Sequence, residues 1–103
     1  MTDISIAIPI PYDEIRAFCE RNHIRRLALF GSVLREDFGP ESDVDMLVEF
    51  EANHAITLLD LAGMQIELEH LTGRSVDLMT RGFINPRYRD AVEIEALPIY
   101  VAP

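Results

Sequence analysis

Residues 43–50 alternate strictly between two kinds of side chain, and this pattern narrows the possible folds of the chain more than any other. In an extended strand, successive side chains point to opposite faces. One face therefore carries Val44, Met46, Val48 and Phe50, and the other carries Asp43, Asp45, Leu47 and Glu49. A strand with one apolar face has to bury that face against another layer, so the pattern predicts a sheet packed on helices.

Helices are predicted by the spacing of apolar residues and by the signals at their ends. Apolar residues three and four positions apart indicate a helix over about residues 12–22. Thr57 opens a second helix with a capping sequence, and Gly73 ends it. A last short helix begins at residues 85–86, with proline in its first turn. Residues 37–42 are rich in glycine, proline and serine, which predicts a loop.

Further segments complete the predicted sheet. Residues 27–30 form a short continuous apolar run, which indicates a buried strand. Residues 75–79 form another strand, with Asp77 on the face opposite two apolar side chains. Residues 99–101 are expected to add an edge strand. The sequence thus predicts an α/β fold with a small mixed sheet of three to four strands packed against helices, and one domain over residues 1–103.

The charge of the chain limits its partners. Eighteen acidic residues against nine basic ones, none of them lysine, give a formal net charge of −9. Unassisted binding of DNA or RNA depends on clustered Lys and Arg, so nucleic acid is disfavoured and a basic protein partner is favoured. No apolar run approaches the ~20 residues that cross a bilayer, and residues 1–5 carry no basic leader. We therefore expect a cytoplasmic protein with no DNA and no membrane partner.

The cysteine and the histidines are not expected to carry chemistry. Cys19 lies among apolar residues of the first predicted helix, which favours a small core residue over a nucleophile. The three histidines show no metal-ligand spacing along the chain, so surface roles are favoured for His23, His54 and His70.

Features that suit phosphate and metal chemistry fall at corresponding ends of the predicted strands. Gly31 and Ser32 follow a buried strand, where glycine lets the backbone approach a ligand and the start of a helix attracts phosphate. Asp43 and Asp45 project from one face of the next strand, roughly 6–7 Å apart at the backbone. Asp77 is an acidic residue inside an otherwise apolar strand.

The paired carboxylates indicate a cation. At an effective dielectric constant of 20, their repulsion would be roughly 2–3 kcal/mol, and a divalent cation between them converts it into attraction. Each feature alone is common in proteins without such a function. Together, Gly-Ser and Asp-x-Asp at this spacing arise by chance in about one chain in a thousand of this length, given typical residue frequencies.

These residues resemble a known signature. Residues 29–32 (Leu-Phe-Gly-Ser), then ten residues, then residues 43–45 (Asp-Val-Asp) are similar to the motif of the polymerase-β-like nucleotidyltransferase superfamily. Arg35 resembles the basic residue that often accompanies that motif. Within the superfamily, the chain is similar to the minimal nucleotidyltransferases from about residue 12 to residue 100. The resemblance to the sequences of these proteins is also seen in two segments, residues 25–32 and residues 73–80.

The resemblance implies a fold and a catalytic site. It implies the polymerase-β-like nucleotidyltransferase fold and transfer of a nucleoside monophosphate from ATP. Asp43 and Asp45 would hold two Mg²⁺ ions, and Asp77 would complete the metal shell and accept a proton from the attacking hydroxyl. Residues 31–32 would hold the β- and γ-phosphates, and Arg35 would add positive charge near the leaving pyrophosphate.

The resemblance also implies a partner. Known members often act as antitoxins encoded beside a helical HEPN-domain toxin, and some transfer adenylyl groups onto a tyrosine of that toxin. The sequence is therefore expected to encode a protein adenylyltransferase antitoxin in a hetero-oligomer. The alternative is a non-catalytic antitoxin that masks its toxin by binding. Because Asp43, Asp45 and Asp77 are all retained, we favour the enzyme.

Overall fold

The computed structural model describes residues 6–35 and 38–103, which form a sheet with helices on both of its faces. In chain order the elements are α1 (Tyr12–Arg21), β1 (Ile24–Phe30), β2 (Val44–Phe50), α2 (Leu58–Thr72), β3 (Val76–Thr80), α3 (Pro86–Glu95) and β4 (Leu97–Val101). Short 3₁₀ turns, Gly31–Leu34 and Arg81–Phe83, follow β1 and β3. The predicted loop is confirmed over residues 38–42, whereas Asp37 lies outside the described residues.

The sheet has the strand order β3-β2-β1-β4. β1 pairs antiparallel with both β2 and β4, while β2 and β3 run parallel. The parallel pair is possible because α2 carries the chain back between those two strands. The sheet is therefore mixed and four-stranded, as the sequence predicts.

Two apolar clusters hold the helices on the sheet. The larger cluster packs α1 and α2 against the face of β2 that carries Val44, Met46 and Val48. The smaller one lies on the opposite face, beside α3, and comprises Ala28, Phe30, Leu47, Ile84 and Ala96. The face of β2 that carries carboxylates is thus covered at Leu47, which is 2% exposed. On this face, Asp43 and Asp45 lie at the start of the strand, beside the end of β1.

The ends of α2 follow the sequence prediction. The Thr57 hydroxyl accepts a hydrogen bond from the Asp60 N–H at 3.1 Å, and an Asp60 carboxylate oxygen accepts one from the Thr57 N–H at 3.0 Å. Gly73 ends the helix with a φ of 69°, a conformation that glycine adopts at little cost. Among the helices of the described residues, none is both long and apolar enough to cross a membrane.

Two strands differ from the prediction by more than one residue at an end, whereas β2 and β3 differ by one. β1 begins at Ile24, three residues before the apolar run, because both arginines there pair with Glu49 on β2. The Nη2 of Arg25 lies 2.7 Å from Glu49 Oε1, and the Nη1 of Arg26 lies 3.5 Å from Glu49 Oε2. β4 begins at Leu97 and includes a proline, which an edge strand tolerates because one side of its backbone makes no ladder hydrogen bonds.

Candidate active site

Gly31 forms the turn at the end of β1 and brings it against a carboxylate. Its φ of 76° lies in the left-handed region, and a Cβ at this position would collide with the carboxylate of Asp45. The turn continues as a 3₁₀ helix of four residues, which is shorter than an α-helix with a complete N-terminal turn. Ser32 is half-buried in this turn, and its carbonyl accepts the N–H of Arg35 at 2.9 Å. The lack of a Cβ at Gly31 therefore lets this turn lie against Asp45, while the approach of its backbone to a phosphate stays a prediction.

The acidic residues predicted from two separate segments meet at this end of the sheet. Asp45 and Asp77 are paired in register across the parallel strands β2 and β3. Because paired residues of neighbouring strands project to the same face, their side chains lie side by side. Asp43 immediately precedes β2, and its charge acts on the carboxyl group of Asp45. Asp43 and Asp77 are exposed, and Asp45 is half-buried.

The electrostatics of the site centre on Asp45. Its pKa is raised above the ordinary value of 3.8, first because partial burial disfavours the carboxylate. The negative charges of Asp77 and then Asp43 raise it further, and only the Arg35 guanidinium opposes them. Around Asp45, the negative charge of the neighbouring carboxylates is therefore offset only in part by Arg35.

The oxygen donors at this site suit magnesium. Mg²⁺ prefers one or two carboxylates together with water and phosphate oxygens. Within residues 6–35 and 38–103, the three carboxylates do not place one oxygen each within 4.8 Å of all the others. A metal ion at this site would therefore need oxygens from water or phosphate beside the carboxylates.

Arg35 lies beside the carboxylates, where the sequence predicts a basic residue. Its guanidinium is close enough to Asp45 to lower the pKa of that carboxyl group. The Nη1 atom of Arg35 also lies 3.2 Å from Glu95 Oε1 at the end of α3. This ion pair connects the turn after β1 to the helix on the same face of the sheet.

Arg74 supports the loop that leads into Asp43, and the sequence analysis gave it no role. Its Nη2 donates to the carbonyl of Gly39 at 2.7 Å and to that of Ser42 at 3.2 Å. Its guanidinium also lies 4.4 Å from the centre of the Phe38 ring. The only sequence signal was the place of Arg74 in the family-like segment of residues 73–80.

β3 is an edge strand whose outer backbone groups are occupied by α2. The Val76 N–H donates to Glu69 Oε2 at 3.0 Å, and the Leu78 N–H donates to Gln65 Oε1 at 3.1 Å. These bonds lie on either side of Asp77 and hold its strand in place. They also protect the edge from pairing with another chain.

The histidine prediction needs a correction. All three histidines are on the surface, as predicted. The sequence analysis found no metal-ligand spacing among them, but the fold brings His23 and His54 together with Glu51. Because His23 and His54 are far apart in sequence and meet only through the turn after β2, spacing along the chain could not show this.

Gly31→Ala should remove activity and lower stability. An L-residue in the left-handed region costs about 1–2 kcal/mol, and the new methyl group would displace the Asp45 carboxylate. Gly39→Ala is the matched control, because a Cβ there meets nothing within 4 Å. Denaturant unfolding and a nucleotidyl-transfer assay measure both effects. If Gly31→Ala behaved like Gly39→Ala, the close contact with Asp45 would have no functional weight.

Comparisons with known proteins show which proteins this chain resembles. The nucleotidyltransferase domain family matches residues 13–99. A Methanocaldococcus jannaschii protein, provisionally named a protein adenylyltransferase, is 35% identical over 79 residues, which cover 77% of this chain and 83% of that protein. A solved structure provisionally described as a minimal nucleotidyltransferase is 38% identical, covers 84% of this chain and 87% of its own, and superposes with a TM-score of 0.70.

A more distant structure shares the fold. It is the complex of a tri-AMPylated Shewanella oneidensis HEPN toxin with an MNT antitoxin. It matches with a TM-score of 0.64 at 16% identity, over 88% of this chain and 70% of the matched chain. The predicted fold class is confirmed by the closer structure at 38% identity.

Proposed function

This chain belongs to the nucleotidyltransferase domain family, and we propose that it transfers AMP from ATP onto a hydroxyl group of a HEPN-type toxin. The acceptor would be a tyrosine, and the modification would make the chain an antitoxin. In this proposal residues 1–103 act as one minimal nucleotidyltransferase domain in the cytoplasm, where ATP is available. The observation that carries the proposal is the in-register pair Asp45 and Asp77 beside the Gly31 turn.

The carboxylates would hold magnesium, and their electrostatics support that role. Burial and the charges of Asp77 and Asp43 raise the pKa of Asp45, and a bound cation would offset both effects. Bound Mg²⁺ would neutralise the triphosphate and favour the developing charge on the attacking and leaving oxygens. Asp77 is exposed and can accept a proton from an acceptor hydroxyl.

The transfer itself is a displacement at phosphorus. The acceptor oxygen forms a bond to the α-phosphorus of ATP, the bond from that phosphorus to the bridging oxygen breaks, and pyrophosphate leaves. The hydroxyl proton passes to Asp77. The Gly31–Leu34 turn would hold the β- and γ-phosphates, with Ser32 as a hydrogen-bond donor. Arg35 would stabilise charge on the pyrophosphate.

The acceptor is proposed to come from another polypeptide. The described helices and strands are used to build the sheet and the carboxylate site, which leaves the orientation of an acceptor to a partner. A net charge of −9 favours a basic protein and disfavours DNA. The S. oneidensis complex pairs an MNT antitoxin with an AMPylated HEPN toxin, and this supports a partner of the same kind here.

Mg²⁺ with ATP should raise the melting temperature of the protein, and the increase should grow with the ligand concentration. A ligand that binds only the folded state stabilises it by about 2.7 kcal/mol at one hundred times its Kd. The double variant Asp43→Asn with Asp45→Asn should lose this stabilisation. Asp13→Asn with Glu14→Gln is the matched control, because it removes the same charge from α1 on the opposite face of the sheet. If Mg²⁺ with ATP stabilised both double variants equally, the nucleotide would bind away from Asp43 and Asp45.

A further inference from the structure

We propose that His23, Glu51 and His54 form a second metal site, which takes a borderline transition-metal ion such as Zn²⁺. Their ligand atoms, one from each side chain, all lie within 4.8 Å of one another. Two imidazoles with one carboxylate are a ligand set that suits Zn²⁺ and contrasts with the all-oxygen set of the carboxylate site. The site is separate from the one proposed for catalysis.

The ligand atoms are close together, but the rings must rotate before both can bind one ion. The imidazole rings of His23 and His54 are stacked with their centres 3.8 Å apart and their planes 14° apart. An imidazole nitrogen binds a metal ion in the plane of its ring, so coordination would replace this stack with rings whose nitrogens converge. The Nδ1 atom of His23 lies 3.7 Å from Glu51 Oε2, and ligand atoms at about 2.0–2.2 Å from a tetrahedral Zn²⁺ are about 3.3 Å from one another. All three side chains are exposed, so they are free to change rotamer.

The backbone is arranged to bring these residues together. The Glu51 N–H donates to the His23 carbonyl at 2.8 Å, which fixes the end of β2 beside the start of β1. Within the described part of the chain, the only non-glycine residues with positive φ are His23, at 56°, and Asn53, at 70°. Left-handed conformations at such residues carry a cost that often marks functional positions. Here the left-handed conformation of His23 positions this residue after α1. That of Asn53 turns the chain so that His54 stacks on His23.

The proposed site is open to solvent and remote from the carboxylates. All three ligand side chains are exposed, so water can complete the coordination of the ion. The cluster lies at the Ile24–Phe50 end of the β1–β2 pair, whereas the carboxylates lie at the Phe30–Asp45 end. At about 3.3 Å per residue, six residues of β1 separate the two ends by about 20 Å. A metal ion here would therefore tie the α1–β1 junction to the segment after β2 and take no direct part in transfer.

The test is a titration of metal-free protein with Zn²⁺ at neutral pH, in excess Mg²⁺, against a chromophoric chelator. The wild type should bind one equivalent. Loss of an outer-shell partner alone costs about 10–100-fold in metal affinity, so His54→Ala, which removes a direct ligand, should weaken binding at least tenfold. His70→Ala is the matched control, since His70 is exposed but outside the cluster. NMR should show the ring nitrogens of His23 and His54 shifting with Zn²⁺ while those of His70 do not.

Three results would overturn the proposal. One is no Zn²⁺ binding by the wild type, which would leave His23 and Glu51 as an ion pair only. Another is unchanged binding in His54→Ala. The third is loss of Zn²⁺ binding in the double variant Asp43→Asn with Asp45→Asn, which would assign the ion to the carboxylate site. Transfer activity should be the same in His54→Ala and the wild type, since the cluster is remote from the carboxylates.

Discussion

Asp45→Asn should reduce nucleotidyl transfer about a thousandfold or more and leave the protein folded. The substitution removes a carboxylate from the proposed metal site, and metal ions supply several kcal/mol of transition-state stabilisation. A loss of about 4 kcal/mol corresponds to three factors of ten at 1.36 kcal/mol each. Single-turnover transfer with saturating Mg²⁺ and ATP measures the loss.

Asp77→Asn should reduce transfer by about 10²–10⁴-fold, as expected for loss of a general base.

The stability of the Asp45→Asn protein should change in the opposite direction. Because burial and neighbouring acids raise the pKa of Asp45, the folded state disfavours its ionised form. Without metal at neutral pH, the variant should therefore melt at or above the temperature of the wild type. The difference should vanish as the pH falls below the ordinary value of 3.8, where the carboxyl is protonated in both the folded and the unfolded state. Thermal melts across pH in metal-free buffer measure it.

Leu29→Ala gives the converse behaviour. Leu29 is completely buried in the larger apolar cluster, and removing its side chain should cost about 2–5 kcal/mol of unfolding free energy. Transfer by the fraction that remains folded should continue. If Asp45→Asn lost stability like Leu29→Ala and kept its activity, Asp45 would be a structural residue.

The sequence predicted each part of the site but not the contacts between the parts. The acidic residue within an apolar strand identified Asp77, and the Asp-x-Asp pattern identified Asp43 and Asp45. Their meeting depends on the register of β2 against β3, which is set by the packing of α2 across the sheet and not by either strand alone. The close contact between Gly31 and the Asp45 carboxylate likewise depends on how β1 pairs with β2. The sequence of either strand alone therefore does not show it.

Polar residues account for most of what the sequence analysis missed. Two arginines in β1 hid the start of the strand, because Glu49 on the neighbouring strand satisfies both of them. Arg74 supports a loop that is distant in sequence. The His23–His54 stack depends on one left-handed turn at Asn53. Such contacts have no periodicity, whereas apolar helices and strands do, so only the latter could be predicted.

The second large effect concerns the partner. Co-expressed with a HEPN-domain toxin of the proposed kind, the chain should form a stable complex, whose interface should bury roughly 1,200–2,000 Å² in total. Addition of ATP and Mg²⁺ should then add one or more adenylyl groups to a tyrosine of the partner, and this should silence the toxin. Intact-mass and peptide mass spectrometry measure the modification. Labelling should disappear with Asp43→Asn, which removes a metal ligand. It should also disappear on removal of Mg²⁺, which removes the ion itself.

The choice of acceptor distinguishes this reaction from its alternatives. Free tyrosine, free RNA and bulk protein should be poor acceptors, because only a docked partner holds a hydroxyl in line with the α-phosphorus. Arg81→Ala, with its ion pair to Glu93 on the surface of α3, is a control whose labelling should match the wild type. Complex formation and toxin neutralisation with no mass change, at saturating ATP and Mg²⁺, would instead support an antitoxin that masks its toxin by contact. Efficient labelling of RNA ends by the isolated chain would contradict both functions, because it would require an acceptor site within the small acidic domain itself.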